Sequence, residues 1–118
     1  MINQISRSDL LRKMLGDKRP LIVEALPEKY FNHAHIPGAI NMPHDRTEEL
    51  AAQVLPEKDA TVVVYCASAT CQNSHIAAER LSQLGYKDVQ VYVDGKKDWI
   101  DAGLPVEGQG RSSAAANS

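Results

Sequence analysis

The feature that most constrains the fold is an alternation of short apolar runs with segments of helical periodicity. Three runs are rich in β-branched residues: PLIVEAL (20–26), TVVVYC (61–66) and VQVYV (89–93). Such runs are typical of buried strands. Strands that are apolar on both faces, alternating with helices, favour a parallel sheet covered on both sides. The sequence therefore predicts an α/β protein with a mainly parallel sheet.

The segments around these runs have the features of helices. Helices are predicted in DLLRKML (9–15), PEKYFNHA (27–34), DRTEELAAQVL (45–55), NSHIAAERLSQLG (73–85) and KKDWIDAG (96–103). Ser6 or Ser8 is expected to cap the first helix, and Asp45 or Thr47 the third. A short strand is expected at 39–41. The fourth helix is predicted to bury one apolar face, made of Ile76, Ala77, Leu81 and Leu84.

Composition excludes several classes of function. The chain has 118 residues, which fits one domain. A net charge of −2 gives no electrostatic basis for binding nucleic acid or an anionic membrane. No apolar run approaches the roughly 18 residues of a membrane span, and the N-terminus does not resemble a secretory signal. With two cysteines in one loop, a reduced, cytoplasmic setting is expected. Residues 108–118, rich in glycine, serine and alanine, are predicted to be a disordered tail.

The strand at 61–66 ends in a cysteine, and a helix begins a few residues later. Ligands bind at the carboxyl ends of parallel strands, so Cys66 lies where a site is expected. The backbone can curl after Cys66 until its N–H groups converge on an anion, because the next residues are small or polar: Ala67, Ser68, Ala69 and Thr70. A helix N-terminus lowers a cysteine pKa from about 8.5 to roughly 3.5–7.5. This pattern predicts a nucleophilic thiolate in an anion cradle, although a cysteine ending an apolar strand is often simply part of the core.

Three segments resemble a known family. HAHIPGAINMP (33–43), VVVYCASATC (62–71) and LGYKDVQVYVDGKKDWIDAGLPVEG (84–108) are similar, in order and spacing, to the motifs of single-domain rhodaneses, a sulfurtransferase family. The resemblance covers residues 1 to about 107. It implies an α/β/α sandwich around a mainly parallel sheet of about five strands. It also implies that Cys66 carries sulfane sulfur as a persulfide, in a loop made of Ala67, Ser68, Ala69, Thr70, Cys71 and Gln72.

The sequence departs from the family pattern where positive charge is usual. Cys71 takes the place of the arginine that commonly ends the loop, and Glu24-Ala25-Leu26 replaces a common Asp-x-Arg. Asp94-Gly95 replaces a Gly-Gly pair. Two arginines that would bind an anionic donor are therefore missing, and the identity of the donor is left open. Lys96 and Lys97 are candidates for restoring positive charge, with ordinary surface lysines as the alternative.

Four other residues are candidates for supporting roles. Cys71 has three interpretations: it forms a disulfide with Cys66, receives sulfur from it, or only fills space. Glu24 is either a buried, paired carboxylate or a brace for the loop, and the brace is preferred. His35 belongs to the family signature and is expected to brace the loop. His75 lies one turn into a predicted helix, near the thiolate or without a role.

The resemblance implies a sulfurtransferase that moves sulfur from thiosulfate or a persulfide to a thiol or cyanide acceptor. A protein persulfide is a further candidate partner, and no cofactor or metal is implied. The alternative is a sulfur-carrying or partner-binding module with little turnover, which the missing arginines favour. Phosphatase or arsenate-reductase chemistry is disfavoured because no arginine lies between Ala67 and Ser74 to clamp an oxyanion.

Overall fold

The computed structural model describes residues 2–109, so residues 110–118 of the predicted tail lie outside the described residues. Strands and helices alternate along the chain. The strands are β1 (Ile2–Ile5), β2 (Leu21–Glu24), β3 (Ile40–Asn41), β4 (Thr61–Tyr65) and β5 (Asp88–Tyr92). The helices are α1 (Arg7–Met14), α2 (Glu28–His33), α3 (Thr47–Val54), α4 (Asn73–Gln83) and α5 (Gly95–Asp101), with a 3-10 turn at His44–Arg46 before α3.

The strands form one sheet in the order β1-β5-β4-β2-β3, and every pairing in it is parallel. Side chains of α3 and α4 pack on one face of the sheet, where Ala51, Leu55 and Leu81 are buried. Leu10 of α1 and Trp99 of α5 are buried on the other face. The predicted α/β fold with a five-stranded parallel sheet between helical layers is confirmed.

Three local details differ from the prediction. Strand β1 was not predicted, because INQI has only two apolar residues and lies at a sheet edge where its two middle residues are exposed. The predicted buried face of α4 is confirmed at Ala77, Leu81 and Leu84, whereas Ile76 is 43% exposed. Neither Asp45 nor Thr47 caps α3: its N-cap is Arg46 without a side-chain cap bond, and the Thr47 hydroxyl donates to the His44 carbonyl oxygen.

The described chain agrees with the prediction at its N-terminal end and differs from it at its C-terminal end. Ser6 is the cap of α1, and its hydroxyl accepts from the Asp9 amide at 3.1 Å. Gly108 packs against residues 32–34, and the Gln109 amide donates to the Asn32 carbonyl oxygen. Ordered contacts therefore reach two residues beyond the predicted domain end. Within residues 2–109, no helix is long and apolar enough to cross a membrane.

Candidate functional site

Cys66 follows directly on β4, at the sheet edge where the carboxyl ends of the parallel strands meet. Cys66 is 1% exposed. Cys66 and Cys71 form a disulfide, with the two Cα atoms 6.3 Å apart. That separation lies within the usual range of about 4.4–6.8 Å for disulfides. The folded loop therefore holds the two sulfur atoms within bonding reach of each other.

The loop between β4 and α4 is a tight turn. The Cys71 amide donates to the Ser68 carbonyl oxygen at 3.1 Å, and the Ser68 and Thr70 hydroxyls are 3.1 Å apart. No oxygen within residues 2–109 accepts a hydrogen bond from the amides of Ala69, Thr70 or Gln72. These amides precede the N-terminus of α4, whose peptide dipoles add a positive potential. Within the described residues these amides therefore have no acceptor, and the anion cradle stays a prediction.

Ser74 is a site residue that the sequence interpretation missed. It lies in the first turn of α4, is 1% exposed, and has its hydroxyl oxygen 3.4 Å from Cys66 Sγ. A signal for it exists in the sequence. Ser74 stands three, four and seven residues before Ala77, Ala78 and Leu81, so it continues their buried helical face as a polar residue.

The start of α5 holds the cysteine loop from the other side. The amides of Lys96 and Lys97 donate to the carbonyl oxygens of Cys66 and Ala67, each at 2.9 Å. Gly95 has φ +72°, and a Cβ there would stand 2.7 Å from the Cys66 carbonyl oxygen and 2.9 Å from the Ser68 nitrogen. Only glycine allows this close approach of two backbones. The position of Cys66 therefore depends on α5 as well as on β4.

We expect Gly95→Ala to lower the free energy of unfolding by about 2–4 kcal/mol, the sum of left-handed strain and displacement of the loop. Gly103→Ala is the matched control, because Gly103 has φ +77° but no atom within 4 Å of its Cβ position. The control should lose only about 1–2 kcal/mol from strain. Urea unfolding of both variants measures the difference. Equal losses would mean that the contact with the cysteine loop is not tight.

Glu24 ends β2 beside Tyr65 of β4 and is fully buried. The Tyr65 hydroxyl donates to Glu24 Oε1 at 2.6 Å, and the Lys96 ammonium donates to Glu24 Oε2 at 3.0 Å. Burial, followed by the charge of Glu24, holds the pKa of Tyr65 well above its ordinary value, so the tyrosine stays a neutral donor. Of the two interpretations of Glu24, the structure therefore shows the buried, paired carboxylate.

The same network ties the Glu24 carboxylate to the polypeptide around it. The Lys96 ammonium also donates to the carbonyl oxygens of Ala34 and Tyr30, at 2.6 and 3.1 Å. The Ile36 amide donates to the Tyr65 hydroxyl at 3.0 Å. Since the Lys96 amide bonds to Cys66, one lysine links the buried carboxylate to the cysteine loop.

Neither candidate lysine supplies free positive charge to the loop. Lys96 is neutralised by Glu24 and is 11% exposed in its side chain. Lys97 pairs with Asp101 at 2.7 Å, and that hydrogen bond raises the pKa of Lys97. An open groove of about 290 Å³ beside the loop is lined by Ser68, Ala69, Asp94, Lys97, Asp98 and Asp101. Asp101 pairs with Lys97 and Asp98 pairs with Arg7 at 2.8 Å, so the charge of Asp94 makes this approach to the loop mildly acidic.

The two candidate histidines lie apart from the cysteines in their contacts. His35 Nδ1 is 2.8 Å from the Phe31 carbonyl oxygen, its ring stacks on Phe31, and its backbone pairs with Glu107. It braces the segment 31–36 against the end of the domain. His75 is partly buried on α4, and within the described residues no hydrogen bond joins its imidazole to Cys66 or Cys71.

Comparisons with known proteins agree with this architecture. The crystal structure of the BH2092 protein from Bacillus halodurans superposes with a TM-score of 0.84 at 25% identity, covering 92% of this chain and 78% of that one. The HTH-type transcriptional regulator Rv0324 of Mycobacterium tuberculosis is 33% identical over 103 residues, which are 87% of this chain and 44% of that protein. The thiosulfate sulfurtransferase PspE of Escherichia coli is 40% identical over 65 residues, 55% of this chain and 60% of PspE.

The chain therefore spans less than two thirds of each of these two curated relatives. The family described as Rhodanese-like domain matches residues 8–102, which is most of the chain. This match, the five-stranded parallel sheet and the similar solved structure together show that the chain belongs to the rhodanese-like domain family.

Proposed function

We propose that the protein is a sulfurtransferase that carries sulfane sulfur on Cys66. The observation that carries the proposal is the placement of Cys66 at the carboxyl end of β4, before loop amides that have no acceptor within residues 2–109. Similarity to the thiosulfate sulfurtransferase PspE supports this class of reaction. In this proposal the reduced protein is the active form, because a disulfide sulfur is not a nucleophile.

The first half-reaction loads the sulfur. The Cys66 thiolate attacks the sulfane sulfur of the donor, a bond forms between Cys66 Sγ and that sulfur, and the bond to the donor's remainder breaks. With thiosulfate the leaving group is sulfite, which departs with the electron pair of the broken bond. The amides of Ala69, Thr70 and Gln72 stabilise the persulfide anion, and the Ser74 hydroxyl, 3.4 Å from Cys66 Sγ, stabilises the thiolate.

The second half-reaction unloads the sulfur. A thiolate or cyanide attacks the outer sulfur of the persulfide, and Cys66 leaves as a thiolate. With cyanide the product is thiocyanate. The loop donors that stabilise the persulfide also stabilise the departing thiolate, so both half-reactions use the same part of the protein. No cofactor takes part in either step.

Mass spectrometry of the reduced protein tests the proposal. After treatment with thiosulfate or an inorganic polysulfide, the peptide containing Cys66 should gain the mass of one sulfur atom. Cyanide should remove that mass and produce an equivalent amount of thiocyanate. If no sulfur is added to Cys66 by either donor, the proposed function is wrong.

The charge around the loop makes thiosulfate a weak donor in this proposal. Lys96 and Lys97, at the start of α5, are both paired with carboxylates, and the groove beside the cysteine loop is acidic. A hydrogen bond to a charged group contributes about 1.5–3 kcal/mol, so a missing arginine corresponds to roughly tenfold or more in affinity. A dianionic donor is therefore expected to bind poorly.

We expect Cys71→Arg to lower the KM for thiosulfate roughly tenfold relative to Cys71→Ser. Cys71→Ser is the matched control, since both variants lose the disulfide and only one adds a guanidinium. Steady-state thiocyanate formation at varied thiosulfate concentration gives the comparison. Equal KM values in two folded variants would show that the backbone amides alone set the affinity for the donor.

A second candidate function is a sulfur-carrying or partner-binding module with little turnover. The groove beside the cysteine loop is acidic, and both Lys96 and Lys97 are paired with carboxylates. These observations favour a carrier over an enzyme that turns over small anions efficiently. A carrier would load one sulfur on Cys66 and release it slowly to cyanide. Single-turnover and steady-state rates measured on the same preparation separate the two functions.

A further inference from the structure

The pairing of Cys66 with Cys71 assigns a chemical role to the second cysteine. Within residues 2–109 neither cysteine is free. Their Cα atoms are 6.3 Å apart inside a loop whose turn is closed by the Cys71 amide and the Ser68 carbonyl. The bond between the two sulfurs is therefore compatible with β4 and α4 as the fold places them.

This proximity has a consequence for a sulfur-loaded protein. In a persulfide on Cys66, the inner sulfur is Cys66 Sγ. This is the same atom that Cys71 Sγ bonds in the disulfide. We propose that Cys71 attacks this inner sulfur and expels the outer sulfur as hydrosulfide, so that the protein reduces sulfane sulfur to sulfide. The inference rests on the proposed loading of Cys66 and adds a second outcome for the sulfur.

The step balances in atoms and electrons. The bond between Cys71 Sγ and Cys66 Sγ forms, and the bond between Cys66 Sγ and the outer sulfur breaks. The outer sulfur leaves with the electron pair of that bond and holds one proton as hydrosulfide. Two cysteine sulfurs are oxidised to the disulfide while one sulfane sulfur is reduced by two electrons.

The disulfide must then be reduced before another sulfur is loaded. The co-reactant is a dithiol, either a small dithiol or a protein with a vicinal pair of cysteines. Cys71 is the more exposed partner, whereas Cys66 is 1% exposed. An external thiolate therefore attacks Cys71 Sγ, and Cys66 leaves into the loop that stabilises its negative charge. The mixed disulfide forms on Cys71.

The test follows the fate of one sulfur atom under anaerobic conditions. The reduced wild-type protein is loaded with one equivalent of inorganic polysulfide, freed of excess reagent and kept without added thiol. We expect one hydrosulfide per protein and a protein mass two hydrogens below that of the reduced form. Cys71→Ser and Cys71→Ala should retain the added sulfur at least about a hundredfold longer, because an intramolecular thiol has a high effective concentration. Dithiothreitol should then release that sulfur as sulfide.

Each outcome bears on one of the two proposals. If the wild type keeps its sulfur as long as both variants do, the role assigned to Cys71 is wrong and loading of Cys66 stands. Sulfur recovered on the Cys71 peptide without sulfide release also overturns the inference. If the wild type and both variants fail to take up sulfur, the proposed function fails and the inference with it. A one-cysteine protein thiol, offered to the oxidised wild type, should be trapped on Cys71; trapping on Cys66 contradicts the order of attack.

Discussion

Replacing Cys66 by serine should reduce sulfur transfer to the rate observed without protein. A serine hydroxyl does not ionise near neutral pH and does not carry sulfane sulfur, so the first half-reaction loses its nucleophile and the second loses its sulfur carrier and leaving group. The expected result is no added sulfur by mass spectrometry and no thiocyanate above background. The substitution changes one atom at a site that is 1% exposed, and circular dichroism with urea unfolding shows whether the fold is kept.

The comparison with Cys71→Ser makes the result specific. Both variants lose the disulfide and one thiol, but only Cys71→Ser keeps the thiol at the end of β4. It should still take up one sulfur atom, whereas Cys66→Ser should take up none. Uptake of sulfur by a folded Cys66→Ser protein would mean that the nucleophile has been misassigned.

Replacing Lys96 by methionine should lower the free energy of unfolding by about 3–5 kcal/mol, because it leaves a buried carboxylate without its counterion. Glu24 is fully buried and the Lys96 side chain is 11% exposed. The carbonyl oxygens of Ala34 and Tyr30 lose a donor as well. Since domains of this size are stable by about 5–15 kcal/mol, the variant is expected to be close to unfolding.

Lys97→Met is the matched control for this prediction. Lys97 is the next residue and also forms an ion pair, with Asp101, but its side chain is 70% exposed. Its removal should leave the unfolding midpoint in urea nearly unchanged. The double variant Glu24→Gln/Lys96→Met removes the buried charge and keeps an acceptor for Tyr65, so it should be more stable than Lys96→Met alone. Equal losses for Lys96→Met and Lys97→Met would contradict the account.

The order of elements was predictable because their signals are local. Apolar β-branched runs and helical periodicity lie within a few residues of each other, and strands β2, β4 and β5 were found in this way. Strand β1 had no such signal, because its main-chain partner is β5, more than 80 residues away in the chain. Tertiary pairing, and not local propensity, makes INQI a strand.

In the candidate site, too, the residues with local sequence signals were predictable and those paired across the chain were not. Cys66 and its loop were found because strand, cysteine and small residues are adjacent in the sequence. The pairing of Glu24 with Lys96 joins residues 72 positions apart, and no local pattern carries it. Ser74 was overlooked because the predicted face of α4 began at Ile76 and counted apolar residues alone, so the polar residue that continues this face was left out. The sequence left three interpretations of Cys71 open. The structure shows the disulfide with Cys66, with the two Cα atoms 6.3 Å apart.

The hold that α5 keeps on the cysteine loop has a consequence for biosynthesis. Gly95, Lys96 and Lys97 supply the backbone contacts that fix Cys66 and Ala67, and they follow these two residues by about thirty positions in the chain. Among residues 2–109, the one strand that pairs with β1 is β5, so this edge of the sheet cannot form before residues 88–92 are available. Domains fold as units during translation, from the N-terminus onward. A nascent chain that has exposed both cysteines but not yet α5 lacks the brace of the loop, so the proposed sulfur chemistry is expected only after α5 has left the ribosome.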